Sequence, residues 1–183
     1  MREFFDVLNN SGEYTNQVAS RDECHKNGLW HKAVFVFILT TNNEKVLLQQ
    51  RSANKKLWPN LWDISAGGHV LAGEFGYQSA IRETKEEIGV SINKNELEFI
   101  GATISENIEG DIINRHFNEC FIVHKDVNLS DITLQKEEVQ NVKWFDREEI
   151  IIRIKNNYEG LTEKIGCWNY LLKYFEIVDN KKD

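Results

Sequence analysis

The sequence predicts an α/β fold, and three stretches carry that prediction. Residues 33 to 40, AVFVFILT, form a near-continuous run of β-branched and aromatic side chains, the pattern of a strand covered on both faces. From Phe75 to Ile88, the residues Tyr77, Ala80, Ile81, Thr84 and Ile88 recur near helical spacing, and Gly89 follows as a stop. Leu161, Ile165, Trp168, Leu172 and Phe175 repeat the helical interval near the other end, a stripe suited to core packing.

The remaining elements follow in order. Phe4 to Leu8 and Tyr14 to Val18 flank Asn9-Asn10-Ser11-Gly12 and read as an amino-terminal hairpin. Ser20 and Glu23 have capping-box spacing and Gly28 supplies a stop, so a short helix carries Cys24 and His25. After the strand at 33 to 40, Thr41 to Glu44 turn the chain into a strand from Val46, which delivers Gln49, Gln50 and Arg51 at its end. Residues 52 to 73 hold little regular pattern, and long structureless loops inside compact domains are usually functional. Strands are expected at 97 to 104, 117 to 123 and 139 to 145. Asp146 and Glu149 suggest a capping box for a helix through Ile154, and the tail DNKKD reads as frayed.

Composition narrows the function. Acidic residues outnumber basic ones 29 to 22, a net charge of -7, which argues against a general nucleic-acid binder with a basic face. No apolar run approaches the roughly 18 residues of a membrane span, and MREFFDVLNN lacks the pattern of a signal peptide, so the cytoplasm is the expected location. Cys24, Cys120 and Cys167 are far apart in the chain, form no CxxC pair, and read as free thiols.

The chemistry concentrates between Gly68 and Val90. Glu83, Glu86 and Glu87 stand at i, i+3 and i+4, so their carboxylates share one face of the expected helix. Clustered carboxylates either take up protons or bind a hard divalent cation. An isolated E/K-rich run reads as a solvated face; the wider pattern overrides that. Gly68, Glu74, Arg82, Glu83, Glu86, Glu87 and Gly89, with Thr84 and Val90, fit G-x5-E-x7-R-E-U-x-E-E-x-G-U. Seven such identities coincide by chance at a given start on the order of once in 10⁸. The stretch resembles the Nudix box, with Thr84 departing from the usual larger aliphatic residue.

That resemblance implies the Nudix fold, an α/β/α sandwich around a mixed sheet, over a single domain 1-183. Within it, 1-32 would be the amino-terminal hairpin and short helix, 33-145 the Nudix core and 146-178 the carboxy-terminal helices. It further implies Mg²⁺, or Mn²⁺, on Glu83, Glu86 and Glu87 with a main-chain carbonyl near Gly68. Arg82 would position Glu83, a carboxylate such as Glu83 or Glu86 would act as base, and Glu74 would brace the helix. Gly68, Glu74 and Gly89 complete the structural part of the box.

Outside the box, LLQQRSANKKLWPNLWDISAGGHVLAGE and HKNGLWH resemble isopentenyl-diphosphate isomerases and their Nudix hydrolase relatives, over roughly residues 3 to 145. In the isomerases, histidines like His25, His31 and His69 help hold a metal beside a reactive cysteine. Here Gly67 stands where the thiol would be, Glu119 is the one carboxylate kept in FNECF, and Phe117 stands where a second is expected. The three histidines are either a second metal site or ordinary hydrogen-bonding residues; the case is weaker for His116 and His124. Arg51, Lys55 and Lys56 resemble basic residues that contact a diphosphate, against the alternative of a solvated loop. Trp58 and Trp62 either stack on substrate or wall the loop. Glu119, Glu137 and Glu138 are either extra ligands and bases or surface acids.

The expectation is a metal-dependent hydrolase of a diphosphate linkage in a small molecule, binding no nucleic acid or membrane, with a homodimer as the default assembly. The alternatives are an isomerase of isopentenyl diphosphate and a non-catalytic Nudix module that binds a nucleotide.

Overall fold

The computed structural model describes residues 3 to 181. The end of the tail DNKKD lies outside the described residues. The chain opens with a two-stranded antiparallel hairpin, β1 (Phe4–Leu8) and β2 (Tyr14–Ser20), followed by the short helix α1 (Arg21–Asn27). Ser20 and Glu23 close the capping box around α1, and Gly28 ends it at φ +61°. Only glycine takes that left-handed conformation without a Cβ penalty.

The central sheet is mixed. β3 (His31–Leu39) lies in its middle and pairs in parallel with β8 (Ile112–His124), which pairs antiparallel with β7 (Glu98–Glu109). On its other side β3 has two partners. Its first half pairs with β6 (Ala66–His69), and only Ile38 and Leu39 pair with β4 (Lys45–Arg51). β4 then diverges and pairs with β5 (Trp62–Asp63) and β9 (Val139–Asp146). Where the two strands part, the Ser65 hydroxyl donates to the Leu47 carbonyl at 2.5 Å and accepts from the Ile38 N–H at 2.7 Å. It satisfies backbone groups that the missing ladder would have paired.

β3 is buried on both faces, as its composition requires. Val34, Val36 and Ile38 pack with Ala80 and Ile88 of α2 (Gly76–Ile88). Phe35, Phe37 and Leu39 pack on the other face with Ile150 and Ile154 of α3 (Arg147–Lys155), and with Trp168, Leu171 and Phe175 of α4 (Ile165–Asn180). The result is helix, sheet, helix in three layers.

Four local expectations change. The stretch 52 to 73 contains β5 and β6, which at two and four residues are too short to show a period. β7 and β8 run past their expected ends to a turn at Gly110 and Asp111, because their outer parts mix polar residues such as Ser105, Glu106, Asn107, Asn114, Arg115 and His116 into the strands and give no continuous apolar run. Asp146 makes no side-chain cap on α3; it pairs with Lys45 at 3.4 Å, while Glu149 pairs with Arg153. α4 begins at Ile165, whose side chain is exposed, and Leu161 is buried in the loop before it.

Candidate active site and a histidine cluster

Ala80, Thr84 and Ile88 form the buried stripe of α2, and Glu83 and Glu87 flank it on the side facing β6. The Thr84 hydroxyl donates to the Ala80 carbonyl at 2.7 Å, so a polar side chain is tolerated at a packing position. Gly68 is required by proximity: a Cβ there would stand 2.3 Å from the Glu83 carboxylate. Gly89 ends α2 at φ +73°.

Arg82 fastens the box together. One terminal nitrogen donates to Glu83 at 2.6 Å and to Glu86 at 3.3 Å, and the other to Glu74 at 3.1 Å and the His69 carbonyl at 3.0 Å. Glu74 also accepts from Ser79 at 2.6 Å. Burial pushes the Glu74 carboxyl up, but the bonds from Arg82 and Ser79 outweigh it and hold it below its ordinary value. Burial dominates at Glu83, which stays above the usual carboxylate range despite Arg82.

Glu87 occupies the fork between β4 and β6. It accepts from Gln49 Nε2 at 3.1 Å and from the Gly67 N–H at 2.9 Å. Burial, then the neighbouring charge of Glu83, pushes its carboxyl up to about 8. Two buried carboxylates that resist ionisation are oxygen donors that a hard divalent cation stabilises. The residues present therefore fit such an ion.

Sequence reasoning missed a second ionic group beside this one. Asp63 is fully buried and accepts from Lys164 Nζ at 2.7 Å, Arg51 at 3.1 Å and the Thr162 hydroxyl at 2.9 Å. Burial would raise its carboxyl; the two cations reverse that and lower it. Lys164 Nζ also lies 4.3 Å from the Phe35 ring centroid, and its field reaches Glu87. No motif marks Asp63 or Lys164; they are about a hundred positions apart in sequence.

The other candidates are placed as follows. Arg51 is committed to Asp63 and to the Leu57 carbonyl at 3.1 Å, Lys55 pairs with Glu138, and Lys56 is exposed. Trp62 packs edge-on against Phe145 at 4.8 Å and walls the core. Glu119 pairs with Lys32 at 3.1 Å and lies against Gly76. Strand alternation turns Glu119 to the opposite sheet face from Cys120 and Asn118, so it does not join the histidines. Cys120 and Cys167 are free thiols with sulfurs 3.0 Å apart in the core.

His25, His31 and His69 converge with His116, and one ring nitrogen from each lies within 4.8 Å of the others. They come from four elements: α1, β3, β6 and β8. Phe5 stacks on His31 at 4.9 Å and on His69 at 4.7 Å. Burial lowers all four imidazoles, His31 to about 4, so they are neutral near pH 7. The Nε2 atoms of His25, His31 and His116 are buried with no hydrogen-bond partner among the described residues. An orphaned buried polar atom costs on the order of 1–3 kcal/mol. The signal for His116 was the alternation of β8, in which 116, 118 and 120 share a face; the parallel register sets His116 beside His31.

The NUDIX domain family model matches residues 29–165, and the chain belongs to the Nudix hydrolase family, whose members generally use divalent metal ions. It is 42% identical over 151 residues to Nudix hydrolase 3 of Arabidopsis thaliana, covering 80% of this chain and 20% of that protein. The chain thus spans about a fifth of the length of that relative. An uncharacterised Nudix hydrolase of Listeria monocytogenes is 37% identical over 148 residues, 81% of this chain and 82% of that one. An isopentenyl-diphosphate Delta-isomerase of Dinoroseobacter shibae is 30% identical over 144 residues, 76% of this chain and 77% of that one. Among solved structures, DR0079 from Deinococcus radiodurans shares the fold, with a TM-score of 0.64 at 20% identity over 89% of this chain and 94% of that one. Among the described residues, no helix is long and apolar enough to cross a membrane.

Proposed function

We propose that the chain hydrolyses a diphosphate linkage in a small molecule, a nucleoside diphosphate joined to a second group or a related organic diphosphate, using Mg²⁺ or Mn²⁺. The observation that carries this reading is the flank of α2, where Glu83 and Glu87 are buried against Gly67 and Gly68 while Arg82 fastens Glu74, Glu83 and Glu86. Glu83, Glu86, Glu87 and the Gly68 carbonyl would hold the ion, which when bound supplies charge neutralisation at the phosphate oxygens and a more acidic water.

The chain's own residues then divide the work. Arg82 restricts where the Glu83 carboxylate can point, a positioning role. Glu86, whose side chain is 53% exposed, can reach into solvent, and either it or Glu83 accepts the proton of the attacking water. Glu74 and Gly89 hold the two ends of the box in register. Lys164 puts a fixed positive charge beside Glu87 and favours a polyanion there. Arg51 and Lys55 would exchange Asp63 and Glu138 for phosphate oxygens, with Lys56 beside them, so these three act on binding more than on turnover.

Incubation with nucleoside and isoprenoid diphosphates plus Mg²⁺ in ¹⁸O-water should put label into a released phosphate, read by mass spectrometry. Glu86→Gln should lower turnover by at least ~10²-fold. Unlabelled products across the panel would sink the reading, and near-normal turnover in that variant would remove Glu86 from it. The isomerase reading is weakened by Gly67: a Cβ there would stand 2.5 Å from the Phe35 ring, so a cysteine in that place does not fit without displacing Phe35. The same isoprenoid diphosphates in deuterated buffer should therefore take up no deuterium.

A further inference from the structure

We propose that Cys120 and Cys167 form a modification site, at which an oxidant of the peroxide class closes a disulfide that locks α4 to the central sheet. This site is independent of the hydrolase reading. One sulfur comes from β8 and the other from the first turn of α4, 47 positions further on, and they lie 3.0 Å apart. A disulfide sets its sulfurs about 2.05 Å apart, so about 1 Å of movement closes the pair.

The seating of α4 holds the two sulfurs together. Cys120 shares its face of β8 with Ile122, Cys167 precedes Trp168 on the buried stripe of α4, and all four belong to one core cluster. Close approach of the helix depends on two glycines. A Cβ at Gly166 would collide with the Thr103 side chain of β7, and one at Gly101 with the ring of Tyr170. The Tyr170 hydroxyl then donates to the Ala102 carbonyl at 2.8 Å, a second tie between helix and sheet. Cys24 is buried on α1, outside that cluster, and serves as the internal contrast.

The contact with Cys120, then burial, holds the Cys167 thiol well above its ordinary value, so the reduced pair is protonated and reacts slowly. Both side chains are almost without solvent exposure, and oxidation proceeds when the first turn of α4, which has no side-chain cap, opens locally. As the thiolate, Cys167 Sγ attacks one peroxide oxygen: an S–O bond forms, the O–O bond breaks, and the departing hydroxide takes up the proton that Cys167 gave. Cys120 Sγ then attacks the sulfenic sulfur; the S–S bond forms, the S–O bond breaks, and the Cys120 proton leaves with the hydroxyl as water. Two thiols and one hydrogen peroxide thus give one disulfide and two waters, each cysteine losing one electron and the peroxide gaining two. A thiol reductant reverses the step. The bond closes a loop that contains β9 and α3, which restricts the unfolded chain, and it pins the turn from which Lys164 reaches Asp63.

The test exposes the full, folded chain to hydrogen peroxide and then alkylates the remaining thiols in denaturant with iodoacetamide. Mass spectrometry should find only Cys24 alkylated, against all three cysteines in the untreated chain, and a peptide pair joining Cys120 to Cys167. The melting temperature of the oxidised chain should rise by at least about 5 °C, and dithiothreitol should reverse both readings. Cys24→Ser should keep the bridge and the rise. Cys120→Ser and Cys167→Ser should lose both, each compared with and without peroxide so that the variant's own stability cancels. If neither folds, the peptide map and melting curves of Cys24→Ser decide alone. Absence of the bridged peptide would overturn the proposal, as would a bridge through Cys24, a bridge obtained only from the unfolded chain, or a bridge without the rise.

Discussion

Buried at the fork and facing Glu83, Glu87 keeps its proton up to about pH 8 in the metal-free fold, whereas the unfolded chain releases it near the ordinary 4.5. Between those values the folded state binds more protons than the unfolded one. Stability from this group is therefore fully present below the lower value and lost as pH rises through the upper one, by at most about 1.4 kcal/mol per pH unit. Melting curves in EDTA should fall across that window, and Glu87→Gln should flatten the slope. Mg²⁺ affinity should rise over the same range, because the ion must displace that proton. Gly68→Ala separates catalysis from folding: its Cβ would push the Glu83 carboxylate aside, a side-chain end that can swing. Turnover should drop at least ~10-fold with little change in melting temperature. Glu74, Arg82, Glu83, Glu86 and Glu87 were legible because one helix and one loop fix their spacing. Asp63, Lys164 and His116 were not, since their partners come from distant stretches that only the sheet register joins.

At the scale of elements, α4 delivers Lys164. The indole of Trp168 donates to the Thr162 carbonyl at 2.9 Å, and the Thr162 hydroxyl donates to Asp63. Lys164→Met removes one of two cations from a carboxylate with no solvent exposure, which should destabilise the fold by about 3 kcal/mol. Urea titration would measure it, and an unchanged midpoint would show that Arg51 alone suffices. Trp168→Ala should cost about 3–5 kcal/mol through the cavity left under Phe37. β3, α1 and α2 could be read directly: an uninterrupted apolar run, a capping box with its glycine, and a helical stripe with its stop. β5 and β6 could not, because two and four residues are shorter than any period and glycines contribute no side-chain pattern. The capping box expected at α3 failed for a tertiary reason, since Lys45 on the neighbouring strand competes for Asp146.

Across the whole molecule, the net charge of -7 is unevenly spent. Around the box, Arg82 binds three acids, and Asp63 has both Arg51 and Lys164, so the bare total overstates the repulsion a polyanionic substrate would meet. The α/β class was readable from periodicity and the three layers followed from the box resemblance, but the parallel partner of β3 had no local signature. That pairing also sets a schedule. Lys32 and Glu119 touch across 87 residues of chain. Closing so long a loop must be paid in entropy before its contacts return anything, which places such topologies among slower folders. During synthesis at about 5–20 residues per second, β3 would wait several seconds for β8 to be made. Until then its apolar run has only β4 and β6 beside it, one flank of the central strand stands open, and the histidines lack their fourth member.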